Sequence, residues 1–247
     1  MGLGTLEKRE SFMNASTLVI TGASRGIGLA TAELFGREGW RVVNISRSPI
    51  PLSAAIQLDI DLSDPAWESA HAQALLDAVA DSARIALVHN AGLLGKDSVP
   101  TLDATHLSRA LQVNVIAPQQ LNRLLLPAMQ SGSSITYVGS TLGEKAVAGA
   151  CSYVVSKHAL IGLMRATCQD LAGRGIHTAC VCPGFTDTEM LRAHVGADEA
   201  VLGSLAGSMT FGRLIRPSEV AEAIRFCALS PVINGSVIHA NLGQVER

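Results

Sequence analysis

Short, uninterrupted apolar runs alternate along this chain with longer stretches in which apolar residues recur every three to four positions. Thr17-Leu18-Val19-Ile20 is continuous and β-rich, the pattern of a strand covered on both faces. Residues 41–45, 55–60, 85–88, 134–138, 177–181 and 236–239 repeat it, giving about seven predicted strands. Between them the spacing predicts helices over 26–36, 65–80, 103–129, 151–171 and 217–229. The first would carry Ile27, Ala30, Thr31 and Leu34 on one face, and Pro118 would interrupt the third. Strands alternating with helices predict a Rossmann-type α/β fold, a doubly wound parallel sheet with helices on both faces. With no internal repeat, low-complexity tract or proline-rich linker, one domain over 13–247 is expected. Residues 1–12 then form an N-terminal extension of little structural value, with Met13 an alternative start. The one irregular stretch, 186–213, is long enough to be a substrate lid.

Composition narrows the function. The chain has 247 residues, 48% apolar and 16% charged, enough for a sizeable core. A net charge of −2 without a basic or acidic run argues against nucleic acid and anionic membrane surfaces as partners. No apolar stretch reaches the roughly 20 residues that span a bilayer. Leu3 to Phe12 is short and charged, unlike a signal peptide. The five cysteines include no Cys-x-x-Cys, and Cys180 and Cys182 alternate along a strand so that both face one side. Buried thiols are expected rather than a metal site, in a reducing, cytoplasmic setting.

Candidate chemistry begins at the turn Thr21-Gly22-Ala23-Ser24-Arg25-Gly26-Ile27-Gly28, between the first strand and the first helix. Glycines there allow a tight turn and close backbone approach to a phosphate, and the helix N-terminus offers free N–H groups to the anion. An NAD site usually carries an acid after the second strand. This chain has Ser46-Arg47-Ser48 instead, and Arg47 with Arg25 can bind a 2′-phosphate, which favours NADP over NAD. Further along, Tyr153 and Lys157 stand four apart on a predicted helix and therefore share a face. A cation beside a phenol favours the phenolate, which suits the pair to proton transfer.

These motifs together resemble the short-chain dehydrogenase/reductase family, from about Thr17 to Gln244, with a likeness to its 3-oxoacyl-carrier reductases. Thr21-Gly22-x-x-x-Gly26-Ile27-Gly28 matches the family's cofactor turn. Asp61-Leu62 is similar to its adenine contact, with Asp59 a rival; Asn90-Ala91-Gly92 and Asn114 match its Asn-Ala-Gly and helix-asparagine signatures. Ser140 lies thirteen residues before Tyr153, the family's usual spacing, and Pro183-Gly184-Phe185-Thr186-Asp187-Thr188 matches its Pro-Gly-x-x-x-Thr turn. Three positions depart from the pattern: Ala179 where asparagine is frequent, Asn241-Leu242-Gly243 in place of Asp-Gly-Gly, and His89 where a second asparagine is common.

The resemblance implies an NADPH-dependent carbonyl reductase working on a small molecule, reversibly. Tyr153 would be the general acid and base, Ser140 would hydrogen-bond the substrate oxygen, and Lys157 would tune Tyr153 and hold the nicotinamide ribose. Asn114 would hold a water that relays protons to Lys157. Pro183, Gly184, Thr186 and Thr188 would surround the carboxamide and pyrophosphate, and Asn90 to Gly92 would pack under the adenosine ribose. Met190, Leu191, Val195, Leu202, Leu205, Met209 and Phe211 either line an apolar pocket or pack the lid down. With few aromatics, an aliphatic or acyl-chain ketone fits better than a ring-stacked substrate. His158 is expected to be a packed helix residue, and Glu144 with Lys145 a surface ion pair or a substrate contact. A homo-oligomer, tetramer or dimer, is implied. The alternatives are an NAD-linked alcohol dehydrogenase, which Arg25, Ser46 and Arg47 oppose, and a non-catalytic nucleotide-binding regulator, which the intact Asn114, Ser140, Tyr153 and Lys157 set opposes.

Overall fold

Seven strands form one all-parallel sheet in the order β3-β2-β1-β4-β5-β6-β7. The structure, a computed structural model, describes residues 16–196 and 198–245; the extension expected over 1–12 lies outside them. The strands are β1 (Thr17–Thr21), β2 (Arg41–Ser46), β3 (Ile56–Asp59), β4 (Ile85–His89), β5 (Ser134–Val138), β6 (His177–Pro183) and β7 (Ser236–Ala240). The main helices are α1 (Gly26–Arg37), α2 (Trp67–Val79), α3 (Ala104–Leu111), α4 (Ala117–Leu125), α5 (Cys151–Asp170), α6 (Glu189–Val195), α7 (Glu199–Gly207) and α8 (Pro217–Leu229). Strand order reverses between β1 and β4, so a crevice opens at their C-terminal ends, where open α/β sheets bind ligands.

Alternation along each strand sends successive side chains to two cores. Leu18 and Ile20 join Phe35, Val220 and Ile224 under α1 and α8, while Val19 joins Leu87, Ile135, Leu121 and Met164 under α2, α4 and α5. Each fully buried side chain of this size contributes roughly 1.5–3 kcal/mol. Because both faces are covered, the central strands β1 and β4 read as continuous apolar runs.

Three local expectations need correction. The buried face of α1 is Gly28, Thr31, Ala32 and Phe35; of the four residues expected there Thr31 is buried, while Ile27, Ala30 and Leu34 are only partly so. Gly28 must lie against the carbonyl of Gly22, and that contact sets the helix rotation and turns Ile27 toward the crevice. The break in the 103–129 helix is not at Pro118 but upstream, in a π turn over Gln112–Ile116 closed by the Ala117 N–H on the Gln112 carbonyl. Pro118 has no N–H for the Asn114 carbonyl, and it sits at ease in the first turn of α4. The stretch 186–213 is not irregular: it holds α6 and α7. Caps make these helices. The Thr188 hydroxyl accepts the Leu191 N–H at 3.3 Å, Gly196 ends α6 at φ +78°, and the Asp198 carboxylate accepts the Ala200 and Val201 N–H groups at 2.9 and 3.4 Å.

Candidate functional site: a nucleotide cleft ending in a Ser-Tyr-Lys cluster

The turn after β1 is built for close approach. Gly22 and Gly26 take left-handed φ values of +70° and +56°. A Cβ on Gly28 would stand 2.4 Å from the Gly22 carbonyl oxygen and 2.5 Å from Asn90 Nδ2. Asn90 explains the crowding: its carboxamide donates to the Thr21 and Gly22 carbonyls at 2.9 and 3.0 Å, and the Thr21 hydroxyl accepts the Asn90 and Ala91 N–H groups at 3.0 and 2.9 Å. Buried Asn44 accepts the Ala23 N–H at 2.9 Å and donates to Ser46 and Gln57 at 2.8 and 2.7 Å, tying the turn to the ends of β2 and β3. No side chain caps α1, so its first N–H groups are left for an anion.

A cleft of about 710 Å³ runs along the strand ends from this turn to α5. That lies within the range of ligand sites, roughly 300–1,000 Å³. Every residue assigned above to the cofactor or to catalysis lines it except Gly28 and Asn114, which stand behind it. The glycine turn, the uncapped helix end and this volume fit a dinucleotide. At the far end from α5, exposed Arg25 and Arg47 line the wall. Asp61 lines it too, whereas Asp59 does not and instead accepts from Gln57 Nε2 at 2.9 Å. Partial burial pushes the Asp61 carboxyl up, but the Ser63 N–H and hydroxyl and the charges of Arg47 and Arg109 outweigh it and hold it below the usual range.

At the α5 end, Ser140, Tyr153 and Lys157 face the same cleft. Lys157 is buried, donates to the Val138 carbonyl at 2.7 Å, and holds its ammonium 5.4 Å from the centre of the Tyr153 ring. The Ser140 hydroxyl accepts the Leu142 N–H at 3.1 Å, leaving its own proton to donate elsewhere. Asn114, in the π turn, is held on three sides: Oδ1 accepts the Leu93 N–H at 2.7 Å, and Nδ2 donates to the Leu93 carbonyl at 3.0 Å and to Ser156 Oγ at 2.8 Å. Ser156 Oγ in turn donates to the Tyr153 carbonyl at 2.8 Å. π turns inside helices are frequent at functional sites. Behind Gly139, Cys180 and Cys182 are buried free thiols with sulfurs 3.8 Å apart. A Cβ on Gly139 would meet them at 2.7 and 2.8 Å, so this glycine lets β6 close behind Ser140.

The apolar residues of 186–213 divide into groups. Met190, Leu191 and Leu205 line the cleft; Leu202 and Met209 are buried away from it; Phe211 is 70% exposed. Several lining residues escaped the sequence reading. His194 was detectable, since it stands one helical turn after Met190 on α6. Arg109 and Val113 likewise stand one turn apart, but only the packing of α3 against the crevice brings them in. Leu94, Leu142 and Gln244 carried no local signal. One minor expectation changes. His158 is exposed rather than packed, its ring bonded back to the Val154 carbonyl at 2.9 Å. Glu144 meets His239 of β7 at 2.7 Å, while Lys145 lines the cleft. The departure at Asn241-Leu242-Gly243 places Leu242 at φ +48°, a conformation that suits the glycine frequent there.

The site can be compared with known proteins. The short chain dehydrogenase profile matches residues 16–198. The "3-oxoacyl-[acyl-carrier-protein] reductase FabG" of Vibrio cholerae is 30% identical, over 94% of this chain and 98% of its own. "Carbonyl reductase family member 4" of Xenopus tropicalis is also 30% identical, over 89% and 93%. Among solved structures, the ligand-free aldohexose dehydrogenase of Thermoplasma acidophilum superposes with a TM-score of 0.85 at 27% identity, covering 94% of each chain. The chain belongs to the short-chain dehydrogenase/reductase family, and it is an NAD(P)-dependent oxidoreductase. Among the described residues no helix is long and apolar enough to cross a membrane.

Proposed function

We propose that the protein reduces a ketone to an alcohol with NADPH, and runs the reverse step when the alcohol is in excess. The observation that carries this reading is the convergence of Ser140, Tyr153 and Lys157 on the cleft that begins at the glycine turn. When bound, the nicotinamide supplies the hydride. Tyr153 donates its phenolic proton to the carbonyl oxygen. Ser140, its hydroxyl oriented by the Leu142 N–H, donates a hydrogen bond where negative charge develops on that oxygen. The Lys157 ammonium stabilises the phenolate left on Tyr153 and reaches the nicotinamide ribose. Asn114, whose side chain is held by Leu93 and Ser156, would hold the water that relays protons to Lys157.

Arg25 and Arg47 support NADP over NAD, as the residues that meet a 2′-phosphate. Asp61 and Leu62 would hold the adenine, Asn90 to Gly92 the adenosine ribose, and Pro183, Gly184, Thr186 and Thr188 the carboxamide and pyrophosphate. α6 and α7 act as the substrate lid. The aliphatic lining from Leu94, Leu142, Met190, Leu191 and Leu205, with the similarity to 3-oxoacyl reductases, supports an aliphatic or 3-oxoacyl ketone. Free thiols support a reducing cytoplasmic setting. Ile116 and Val155, 44% and 43% exposed beside α4 and on α5, support a homo-oligomer joined through these helices.

The test is a screen of NADPH oxidation against aliphatic ketones, 3-oxoacyl thioesters and quinones, with the Tyr153→Phe variant beside the unaltered protein. Tyr153→Phe should bind NADPH normally and lose turnover by at least about 100-fold, the scale of general acid catalysis. Unchanged turnover in that variant would remove Tyr153 from the mechanism.

A further inference from the structure

We infer that Asp97, in the loop after β4, is a positioning residue: it caps the N-terminus of α5 and thereby fixes where Tyr153 stands. The inference rests on Tyr153 being the proton donor. α5 begins without a cap of its own, because its N-cap residue is Ala150, which has no side-chain acceptor. The first helical N–H groups therefore need partners from elsewhere. Asp97 supplies them. Its main-chain carbonyl accepts the Cys151 N–H at 3.2 Å, and its carboxylate accepts the Ser152 N–H at 2.8 Å and, through the other oxygen, the Ser152 hydroxyl. Its own N–H donates to the Gly149 carbonyl at 3.1 Å. A negative group is also favoured by the positive end of a 20-residue helix. Gly95 makes room for this clasp, since a Cβ there would stand 2.5 Å from Asp97 Oδ2 and 3.1 Å from Ser152 Oγ.

The clasp differs from an ordinary cap in what it joins. Ser152 immediately precedes Tyr153. The loop that carries Asp97 starts at Asn90, which grips the glycine turn, and passes Leu93, which Asn114 holds from both sides. One short segment thus measures the distance from the nucleotide turn to the tyrosine helix. Loosening its last bond leaves the nucleotide end intact and lets the first turn of α5 drift. Displacements of about 1 Å in a reacting group can cost on the order of 100-fold in rate.

Asp97→Ala, Asp97→Asn and Ser152→Ala, with Tyr153→Phe in parallel, test the inference. Rates are measured with whichever screened carbonyl compound the unaltered protein turns over fastest. NADPH binding is read by fluorescence titration, and hydrogen exchange over residues 149–157 by mass spectrometry. Asp97→Ala should lower kcat by about 10- to 100-fold, speed exchange in the first turn of α5, and leave the NADPH Kd within about twofold. Asp97→Asn keeps an acceptor for the Ser152 N–H and should recover kcat to within about threefold of the unaltered protein. Wild-type kcat per folded molecule in Asp97→Ala, with or without a lower melting temperature, marks a purely structural cap and overturns the inference. So does exchange unchanged over 149–157. If Asp97→Ala does not accumulate folded, Ser152→Ala decides: a kcat loss of about threefold or more supports the inference, and wild-type kcat overturns it. Undiminished turnover in Tyr153→Phe, or no turnover of any screened compound, instead sinks the reading on which it rests.

Discussion

Arg47 stands exposed where β2 runs out into the cleft, and its charge helps to hold the Asp61 carboxyl on the same wall below its usual range. An interaction between exposed charges contributes little to stability, about 0–1 kcal/mol. A 2′-phosphate competes well for the guanidinium because its oxygens match the planar fork of donors. Hydrogen bonds to a charged group contribute about 1.5–3 kcal/mol each, equivalent to about 10- to 100-fold in affinity. Arg47→Asp should therefore raise the NADPH KM by about that factor, with NADH, which lacks the phosphate, losing little or gaining. Steady-state kinetics with both cofactors measure the ratio; an unaltered ratio would remove the case for NADP selection by this residue.

At the scale of elements, the glycine turn shows why similar residues have dissimilar roles. Gly28 and Gly36 lie on the same helix. A methyl on Gly28 meets the Gly22 carbonyl and the Asn90 carboxamide, whereas one on Gly36 meets only a Val42 methyl at 3.9 Å. Gly28→Ala should cost about 1–3 kcal/mol by overpacking and weaken NADPH binding, because relief requires moving the turn itself. Gly36→Ala should stabilise by about 0.5–1 kcal/mol. Urea unfolding with NADPH titration separates the two. The same contrast explains what the sequence made legible. The central strands could be read because burial on both faces makes them continuous apolar runs. Motif residues could be read because each belongs to a turn contiguous in sequence. The π turn at Asn114, the rotation of α1 and the helices of the lid could not, because they depend on Pro118 withholding a donor, on a glycine contact across the turn, and on the caps at Thr188 and Asp198. Arg109 reaches the cleft, and Asp97 the first turn of α5, only through the packing of distant segments.

At the scale of the whole molecule, one buried polar chain ties four elements behind the site. His89 at the end of β4 bonds Asn122 of α4 at 2.8 Å; Asn122 Nδ2 donates to the Tyr137 hydroxyl of β5 at 2.7 Å; Tyr137 meets Thr167 of α5 at 3.1 Å. Since Asn122 donates to Tyr137, its oxygen faces His89, so His89 Nε2 carries the proton and donates. Nδ1 then remains a buried acceptor without a partner. Burial holds the imidazole neutral and lowers its pKa to about 4, outweighing the opposing bond to Asn122, and burial also pushes the Tyr137 phenol up to about 12. His89 is thus a group whose folded pKa lies below its unfolded value of 6.5. Between about 4 and 6.5 the unfolded chain binds a proton that the folded one refuses, so stability is full above 6.5 and falls as the pH drops. His177, also lowered by burial, acts in the same direction. From pH 7 to pH 5 the His89 contribution to this loss is about 2 kcal/mol. His89→Asn removes the titrating group while keeping an amide able to meet Asn122. Urea unfolding at pH 7, 6 and 5 should show the unaltered protein losing about 2 kcal/mol more than His89→Asn over that range, and parallel losses in the two proteins would show that His89 is protonated in the folded state without penalty.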